Sequence, residues 1–341
     1  MKAAVYSRYG PPDVIHIEEV DRPIPRDNEV LVHIHAATVS AADWRMRKAD
    51  PFLIRFMNGL RRPKKTIILG MEFSGTVAAI GRAVTLFAPG DKVFGGTGFQ
   101  FGAHAEYVCL PEGGTLAAKP ENITMEEAAG VLFGGFSALH FLRKGNIQAG
   151  QNVLIYGASG SVGTFAVQLA VHFGARVTGV CSSANMELVR SLGAAHVLDY
   201  TREDFSSAGP VYDMVFDAVG YSGFERSLRA LKRGGYYVRV GGSGKLLAML
   251  RGAFQSMWTS ITGAAKVVGG VAAGSREDQL FLKGLIESGK LRTVIDRCYP
   301  LAEIAEAHRY VEAGHKKGQV IILIEPAILP SYVAAFRENT C

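Results

Sequence analysis

Short apolar runs separated by turn residues characterise the first third of the chain. The run 29–37 is rich in β-branched and apolar residues, and Asp27-Asn28 marks a turn before it. Three further runs have the same character and are bounded by glycine, proline or polar residues: 73–80, 92–94 and 103–110. This pattern predicts a small, mostly antiparallel β barrel that extends from residue 1 to about residue 120.

The hydrophobic pattern changes at Thr124. Thr124 and Glu127 have the spacing of a capping box, and apolar residues continue to Leu142, so a helix is expected there. The runs that follow alternate in type: strands at 153–156, 175–180, 195–199, 212–217, 236–240 and 319–325, and helices at 164–173, 185–192, 224–231 and 276–290. This alternation predicts a parallel sheet built from βαβ units. The tail from Pro326 has little regular pattern and receives no assignment.

A glycine-rich turn connects the predicted strand 153–156 to the helix that follows it. Gly157, Gly160 and Gly163 are spaced three residues apart. Between a strand and a helix, such glycines allow a tight turn, close approach of the backbone to a pyrophosphate, and close packing of the helix on the strand. The helix N-terminus would direct its positive dipole end toward the phosphates. The segment therefore predicts a dinucleotide site rather than a plain connecting turn.

Composition limits the classes of protein that fit. A chain of 341 residues with 48% hydrophobic and 20% charged residues is typical of a two-domain globular protein. The net charge of +6 is dispersed, which argues against a nucleic-acid partner. The four cysteines form no CxxC pair, which favours a reducing compartment. Neither a signal peptide nor an apolar stretch of membrane-spanning length is evident, so we expect a cytoplasmic protein without a membrane partner.

An ordered series of short motifs extends along the chain. The motifs are Met1-Lys-Ala-Ala-Val-Tyr6, Gly70-Met-Glu-Phe-Ser-Gly75, Pro89-Gly-Asp-Lys-Val-Phe94, Gly102-Ala-His-Ala-Glu-Tyr107, Leu192-Gly-Ala-Ala-His196, Phe216-Asp-Ala-Val-Gly220 and Gly314-His-Lys-Lys-Gly318. In this order they resemble the medium-chain dehydrogenase/reductase superfamily, in its zinc-independent quinone-oxidoreductase-like branch. The resemblance implies an α/β fold with a GroES-like β-barrel catalytic domain at 1–124, an inserted Rossmann NADP-binding domain at 125–272, and a C-terminal part at 273–341 that returns to the catalytic domain. It also implies a homodimer, in which the strand at 266–271 could pair with its copy.

Zinc is not expected, because the ligands it needs are missing. Catalytic zinc is bound by about three Cys, His or carboxylate side chains. Zinc-dependent relatives have a cysteine where this chain has Ser40 and a histidine where it has Met71. Glu72 alone cannot hold the metal, so we expect it to have a structural role, paired with a basic group.

The residues after the second Rossmann strand favour NADPH over NADH. An NAD site usually has Asp or Glu there, whereas this chain has Ser182 and Ser183, whose hydroxyls suit a 2′-phosphate. The resemblance adds Tyr200 as a further phosphate contact. Many relatives have a cation where this chain has Ala184-Asn185, so Arg190 or Arg202 would have to supply the charge. The alternative is that these are ordinary surface loop residues.

The resemblance also assigns residues to the remaining parts of the cofactor. The backbone from Gly157 through Ala158, Ser159, Gly160, Ser161 and Val162 to Gly163 is expected to contact the pyrophosphate. Ser137 and Val219 are expected near the nicotinamide end, and Gly241 and Gly242 lie at the end of the next predicted strand, where open α/β sheets bind ligands. For Ser137, a hydrogen bond from its hydroxyl to the backbone of its own helix is an equally good interpretation.

Without zinc, hydrogen-bond donors must stabilise the negative oxygen that develops on the hydride acceptor. The region 39–45 aligns with the family loop that faces the nicotinamide, and Ser40 is the natural donor in it. Asp43 is named as a second catalytic candidate, although a structural role is favoured. The segments 50–65 and 245–266 are rich in Phe, Met, Leu and Arg, and are expected to form a substrate pocket or a dimer interface.

The resulting hypothesis is an NADPH-dependent enzyme that reduces quinones or activated C=C and C=O compounds such as enones and enals. A short-chain-type Tyr-x-x-x-Lys motif is missing near the expected place, which favours acceptors that need little acid catalysis. Two alternatives remain. One is a zinc-free NAD(P)-dependent alcohol or carbonyl dehydrogenase, and the other is a non-catalytic NADPH-binding sensor.

Overall fold

The computed structural model describes residues 1–240 and 262–324 of the chain. These residues belong to two compact units. The first unit consists of Met1–Leu132 and the chain from Ile295 onward, and the second is the continuous segment Phe133–Val294. Within the described ranges, the structure shows no helix that is both long enough and apolar enough to cross a bilayer.

The strands in chain order are β1 (Lys2–Tyr6), β2 (His16–Glu19), β3 (Glu29–Thr38), β4 (Ile67–Ile68), β5 (Glu72–Ile80), β6 (Lys92–Gly96), β7 (Tyr107–Pro111), β8 (Leu116–Ala118), β9 (Asn152–Tyr156), β10 (Arg176–Cys181), β11 (His196–Asp199), β12 (Tyr212–Asp217), β13 (Leu231–Val240), β14 (Ala265–Gly270), β15 (Ile295–Pro300) and β16 (Gln319–Leu323). The α-helices are α1 (Ala41–Lys48), α2 (Ile54–Asn58), α3 (Met125–Ala129), α4 (Leu132–Lys144), α5 (Ser161–His172), α6 (Met186–Ser191), α7 (Phe224–Ala230), α8 (Arg276–Glu287) and α9 (Ile304–Glu312).

The first unit contains two sheets. A three-stranded antiparallel sheet has the order β2-β1-β4. A seven-stranded sheet has the order β15-β16-β3-β5-β6-β8, and β7 also pairs with β3. All its pairs are antiparallel except β15 with β16, which confirms the prediction of a mostly antiparallel region. The core includes Tyr6, Ile34, Phe73, Leu116 and Ile322, so strands from both chain ends share one hydrophobic interior.

The second unit is a six-stranded parallel sheet with the order β11-β10-β9-β12-β13-β14. Numbered within this unit, the order is 3-2-1-4-5-6, which is the dinucleotide-binding arrangement. The central strand β9 has a continuous buried run, Val153, Leu154 and Ile155, as expected for a parallel strand that is covered on both faces. The strand order reverses between β9 and β12, which is where such sheets bind ligands.

Several predicted elements differ from the observed ones. The helix expected from Thr124 to Leu142 is two helices, because α3 ends at Gly130, whose backbone is not helical (φ −93°, ψ 13°). The expected strand 103–110 begins only at Tyr107, after Gly102 with φ of 113°. The region 39–45, expected to be a loop, contains the start of α1. The strand β15 and the helix α9 were not predicted from the sequence.

The two units divide the chain at places other than the domain boundaries that the resemblance implied. The chain passes from one unit to the other at Leu132/Phe133 and Val294/Ile295, whereas the resemblance implied 124/125 and 272/273. The segment after residue 272 belongs to the second unit because α8 packs there: Arg143 donates to Asp278 at 2.6 Å and the ring of Phe173 stacks on that of Phe281.

Candidate active site

The turn after β9 has the geometry that a dinucleotide requires. Gly157 has φ of 80°, and α5 begins directly after Gly160. A Cβ atom at Gly163 would lie 2.1 Å from the carbonyl oxygen of Gly157, so a side chain does not fit there. At Gly160 the nearest atom would be 3.5 Å away, so the approach to this backbone is open. No side chain caps α5, which leaves its positive dipole end available to an anion.

Val219 adjoins this turn at the point where the strand order reverses. A Cβ atom at Gly157 would lie 2.7 Å from Cγ1 of Val219. The fully buried carboxylate of Asp217, at the end of β12, accepts hydrogen bonds from the amides of Val219 at 3.2 Å and Gly220 at 2.7 Å. Asp217 therefore fixes the backbone on the second side of the crevice. In the sequence, Asp217 stands out only as part of the motif Phe216–Gly220, and nothing there indicated this role.

Asn185 joins the glycine-rich turn to the residues that follow β10. Its side-chain amide donates to Oγ of Ser159 at 3.1 Å and to Oγ of Ser182 at 3.3 Å. The structure thus brings two groups of predicted cofactor residues together through one amide. In the sequence, Asn185 was noted only as a departure from the cation found in many relatives, and nothing there indicated the bridge.

Ser183 contacts a carboxylate that the sequence argument did not anticipate. Its hydroxyl donates to Oδ2 of Asp199, and the amide and hydroxyl of Thr201 donate to Oδ1 at 2.9 and 2.8 Å. These hydrogen bonds, that of Ser183 first, lower the pKa of Asp199. The sequence has no carboxylate directly after β10, but the neighbouring strand supplies one, because the parallel pairing of β10 with β11 places Cys181 opposite Asp199.

Tyr200 and Arg202 lie on the same edge of the sheet. The amide of Tyr200 donates to the carbonyl of Cys181 at 3.1 Å, and its side chain is about half exposed. Nε of Arg202 lies 3.8 Å from Oδ2 of Asp199, and its side chain is 79% exposed. Arg190, the other cation considered from the sequence, is paired with Glu187. Arg202 is therefore the better placed of the two to supply positive charge beside Ser183.

The remaining predicted cofactor residues are less informative. The hydroxyl of Ser137 donates to the carbonyl of Phe133 at 2.7 Å, one helical turn earlier, which is the alternative considered from the sequence. Its role near the nicotinamide stays a prediction. Gly241, Gly242 and most of the 245–266 segment lie outside the described residues.

Ser40 and Asp43 form a buried hydrogen-bond network at the start of α1. The amide and hydroxyl of Ser40 both donate to Oδ2 of Asp43, at 2.7 and 2.6 Å. The amide of Gly70 donates to Oδ1 at 2.8 Å, and Asp43 is fully buried. Asp43 thus joins α1 to the Gly70 turn, in agreement with the favoured structural role. In this arrangement the hydroxyl proton of Ser40 is directed at Asp43.

Two buried histidines adjoin this network. The ring of His104 lies against Gly70, where an added Cβ would be 2.7 Å from Cδ2. Nε2 of His104 donates to the carbonyl of Thr38 at 2.8 Å, and its ring is nearly perpendicular to that of His308 at 5.8 Å. Burial lowers the pKa of both imidazoles, most strongly that of His308. Both rings are therefore neutral at physiological pH.

Arg47 is a buried cation on the same helix. Its side chain is fully buried, Nη2 donates to Glu312 of α9, and Nε donates to the carbonyl of Gly10 at 3.2 Å. Nζ of Lys48 also donates to Glu312, at 2.7 Å. Burial lowers the pKa of Arg47, and Glu312 opposes that effect. The pair therefore fastens α1, which carries Ser40 and Asp43, to α9.

The donor set near Ser40 does not fit zinc. Among the residues that the structure describes, no three or more His, Cys, Asp or Glu side chains are arranged to hold a metal ion. Oε1 of the buried Glu72 accepts a hydrogen bond from Thr38 at 2.7 Å. Burial lowers the pKa of Lys316 to about 8, while Asp296 and Glu72 act in the opposite direction. Glu72 therefore accepts a hydrogen bond from the hydroxyl of Thr38 and interacts electrostatically with the ammonium group of Lys316.

A surface cavity of about 630 Å³ lies in the first unit, among the segment 9–12, the end of α1, α2 and the end of α9. Its lining includes Tyr9, Lys48, Arg55, Arg309 and Glu312. None of the predicted catalytic or cofactor residues lines it.

Comparisons with known proteins identify the family of the chain. Residues 26–121 match the family model of the alcohol dehydrogenase GroES-like domain, and residues 192–322 match that of zinc-binding dehydrogenase. An NADPH-dependent alkenal/one oxidoreductase of Arabidopsis thaliana is 32% identical over 334 residues, which cover 94% of this chain and 79% of the relative. A quinone-oxidoreductase homolog of Spinacia oleracea is 32% identical over 348 residues, which cover 94% and 98%.

A solved structure shows the same architecture. The quinone oxidoreductase from Coxiella burnetii has a TM-score of 0.83 and 30% sequence identity, and the match covers 95% of this chain and 99% of that one. The fold and the site thus define an oxidoreductase with a GroES-like domain and a Rossmann domain. The chain belongs to the medium-chain dehydrogenase/reductase superfamily, in its quinone-oxidoreductase branch.

Proposed function

We propose that the protein is an NADPH-dependent oxidoreductase that transfers hydride to quinones, enones or enals without zinc. The observation that carries the proposal is the turn after β9, where Gly163 excludes a side chain and Gly160 leaves the backbone open at the reversal of strand order. The relatives described above are named for NADPH-dependent alkenal and enone oxidation–reduction and for quinone oxidoreduction. Those names support the same cofactor and class of acceptor.

The residues proposed to hold NADPH are Ser137, Gly157, Ala158, Ser159, Gly160, Ser161, Val162, Gly163, Ser182, Ser183, Tyr200, Val219, Gly241 and Gly242. The 2′-phosphate would bind beside the hydroxyls of Ser182 and Ser183, with the guanidinium of Arg202 supplying positive charge near Ser183. Asp199 is ionised beside Ser183, so the Ser183 hydroxyl must turn from that carboxylate to donate to the phosphate, and the guanidinium of Arg202 would offset the carboxylate charge.

When bound, NADPH supplies the hydride. The chain must position the acceptor, exclude water and stabilise the negative charge that develops on the acceptor oxygen. Ser40 is the proposed donor to that oxygen, and its hydroxyl must rotate away from Asp43 to reach it. Asp43 would then still accept hydrogen bonds from the amides of Ser40 and Gly70. The reduced acceptor takes its proton from solvent.

This proposal assigns no step to zinc, although the second family model is named for zinc binding. Ser40 and Met71 occupy the positions where zinc-dependent relatives have ligands, and a hydroxyl or thioether is a poor ligand for this ion. The hydroxyl of Ser40 is engaged by Asp43, and Glu72 is engaged by Thr38. Quinones and conjugated carbonyls suit such a site because they accept hydride with modest polarisation.

We further propose a homodimer in a reducing, cytoplasmic environment. The strand β14 forms one edge of the parallel sheet, so its outer backbone groups are available to pair with a copy. Cys109, Cys181 and Cys298 are free thiols, which supports a reducing compartment. Light scattering of the purified chain tests the dimer, and a mass equal to that of one chain would contradict it.

The first experiment is a spectrophotometric assay that follows oxidation of NADPH and, separately, of NADH. The acceptors are a quinone, an enone, an enal and a simple aldehyde, each with and without a zinc chelator. We expect turnover of quinone or enone that prefers NADPH and is insensitive to the chelator. Aldehyde reduction without enone turnover would favour the carbonyl dehydrogenase alternative. Tight NADPH binding without oxidation by any acceptor would favour the sensor.

A further inference from the structure

Four large apolar side chains are exposed on one short excursion of the first unit, residues 51–65. The exposed fractions are 60% for Phe52, 59% for Leu53, 62% for Phe56 and 57% for Leu60. Phe52 and Phe56 are one helical turn apart, and their rings meet edge to face with centroids 5.8 Å apart. Single exposed apolar residues are normal, whereas a contiguous cluster of this kind marks an interaction surface.

The same excursion carries only positive charge. Its cations are Arg55, Arg61, Arg62, Lys64 and Lys65, and no acidic residue occurs between Asp50 and Glu72. The last four are exposed and flank the buried Pro63. The chain as a whole carries only a dispersed +6, so this concentration of like charge beside exposed aromatic residues is a local property of the segment.

The backbone holds the apolar and basic parts of the segment together. The amide of Gly59 donates to the carbonyl of Arg55 at 2.8 Å, and the amide of Lys64 donates to the carbonyl of Asn58 at 2.7 Å. The hydroxyl of Tyr9 donates to the carbonyl of Gly59 at 2.9 Å and ties the turn to the first unit. The exposed rings and the basic run are therefore presented on a fixed turn.

We propose that residues 51–65 are a peripheral docking element for an anionic lipid bilayer. Exposed Phe and Leu next to Arg and Lys are the side chains that enter the boundary between headgroups and acyl chains while cations contact lipid phosphates. The inference does not depend on the reaction proposed above. Its consequence is that the enzyme works at a membrane surface, where large apolar acceptors dissolve. This differs from the expectation, drawn from the sequence, of a protein without a membrane partner.

Charge argues for a bilayer over a second copy of the chain. In a symmetric contact through this segment, five cations of one copy would face five of the other without an acid in either segment. Like charges that face each other across an interface disfavour it. An anionic lipid surface instead supplies negative charge at every contact.

Vesicle co-sedimentation tests the proposal directly. The full chain is mixed with vesicles of phosphatidylcholine alone or of phosphatidylcholine with phosphatidylserine, at low and high salt. We expect binding to the mixed vesicles that weakens as salt rises, and little binding to neutral vesicles. Binding to neither kind of vesicle, or equal and salt-independent binding to both, would overturn the proposal.

Variants separate the two parts of the surface. Phe52→Ser combined with Phe56→Ser, and Arg61→Gln combined with Arg62→Gln, should each weaken binding to mixed vesicles roughly tenfold or more. The matched controls are Ile24→Ser, an 87% exposed apolar side chain of the same unit, and Arg82→Gln, an 84% exposed cation; both should bind like the parent. Thermal unfolding of all variants should stay unchanged because the altered side chains are exposed.

Light scattering completes the test. If the aromatic double variant lowers the mass of the particle in solution while vesicle binding is unchanged, the surface joins copies of the chain and the lipid proposal is wrong. If the mass is unchanged and vesicle binding is lost, the proposal stands.

Discussion

The hydroxyl of Ser40 donates a hydrogen bond to Asp43 and can be removed without breaking the other hydrogen bonds of that carboxylate. Ser40→Ala leaves Asp43 with the amides of Ser40 and Gly70, so we expect a loss of only about 1 kcal/mol in the free energy of unfolding. If the hydroxyl stabilises the acceptor oxygen, kcat with an enone falls about 100-fold, and kcat with a quinone falls less. Steady-state kinetics and chemical denaturation measure these quantities.

The control for this prediction is Ser40→Thr, which keeps a hydroxyl and should retain most of the activity. NADPH affinity should be the same in all three proteins, because those residues proposed to hold NADPH that the structure describes lie in the other unit. Equal small losses with both acceptors would show that Ser40 only caps α1.

His104 and His308 make the first unit sensitive to acid. Their pKa values are lowered in the folded chain, so below about pH 6.5 the unfolded chain binds more protons than the folded one. The stability present above that pH is therefore lost as the pH falls. Each neutral histidine contributes a slope of up to about 1.4 kcal/mol per pH unit between about pH 6.5 and 5. Denaturant unfolding across this range measures the slope.

His308→Leu is the variant that isolates one of the two groups. Neither ring nitrogen of His308 has a hydrogen-bond partner among the described residues, so the substitution removes a proton site without breaking a bond. We expect the acid slope to fall by about half. A slope equal to that of the parent would mean that His308 is not held neutral.

Two glycines in the turn between β9 and α5 allow effects on stability and effects on cofactor binding to be measured separately. Gly163→Ala places a Cβ atom 2.1 Å from a backbone oxygen and should cost about 2 kcal/mol or more of stability. Gly160→Ala has space in the chain itself and a φ of −79°, so stability should change little. It should nevertheless weaken NADPH binding about tenfold or more, because the methyl group occupies the approach of the pyrophosphate.

Calorimetric titration with NADPH and thermal unfolding distinguish the two variants. Gly284→Ala in α8, where an added Cβ meets nothing within 4 Å, is the matched control and should bind NADPH like the parent. Normal NADPH affinity in Gly160→Ala would place the pyrophosphate elsewhere.

The helices α1 and α9 are joined by a buried ion pair. Glu312→Met leaves the Arg47 guanidinium buried without its carboxylate, so we expect a loss of about 2 to 4 kcal/mol in the free energy of unfolding. Arg47→Met combined with Glu312→Met should cost clearly less than the sum of the single changes, because neither charge is then buried alone. Denaturant unfolding of the four proteins measures this coupling.

Additive effects in this cycle would show that the pair does not join the two helices. The exposed pair of Arg82 with Asp27 supplies a comparison, since Arg82→Met should not change stability measurably.

Strands were easier to predict from the sequence than the short helices. The buried run of β9 is continuous and apolar, and the run 212–217, observed as Tyr212–Asp217, is mostly apolar, so both patterns favour a buried strand. α1 is short and rich in charge, so its pattern was weak, although Ser40 and Asp43 have capping spacing that could have revealed it. α9 has an apolar face formed by Ile304, Ala307 and Val311 that was overlooked.

The candidate site was only partly predictable for a physical reason. The glycine turn is local, so its spacing in the chain reports its geometry. The contact of Ser183 with Asp199 depends on which strands are neighbours, and Asn185 reaches Ser159 across 26 residues of chain. Such contacts follow from sheet order and side-chain packing, which a single sequence does not encode as a pattern.

The second unit is one uninterrupted segment with its own core. Leu154, Val180, Phe205, Val215 and Tyr237 belong to a single buried cluster in it. The described residues proposed to hold NADPH also lie in this unit. We therefore expect a fragment of residues 130–294 to fold and to bind NADPH with an affinity within about tenfold of the full chain, but without turnover.

Circular dichroism and calorimetric titration of the fragment test this expectation. The same fragment with Gly160→Ala is the control and should fold without binding tightly. An unfolded fragment, or a folded one that does not bind NADPH, would show that the nucleotide site needs the other unit.

The placement of β16 has a consequence for protein synthesis. This strand, Gln319–Leu323, lies between β15 and β3 and pairs with Ala36, Ala37 and Thr38. A ribosome makes β3 before the whole second unit and β16 after it. The growing chain therefore carries β3 without its β16 partner at residues 36–38 while the nucleotide-binding unit is made, so that unit can fold first, whereas the seven-stranded sheet is completed only after it.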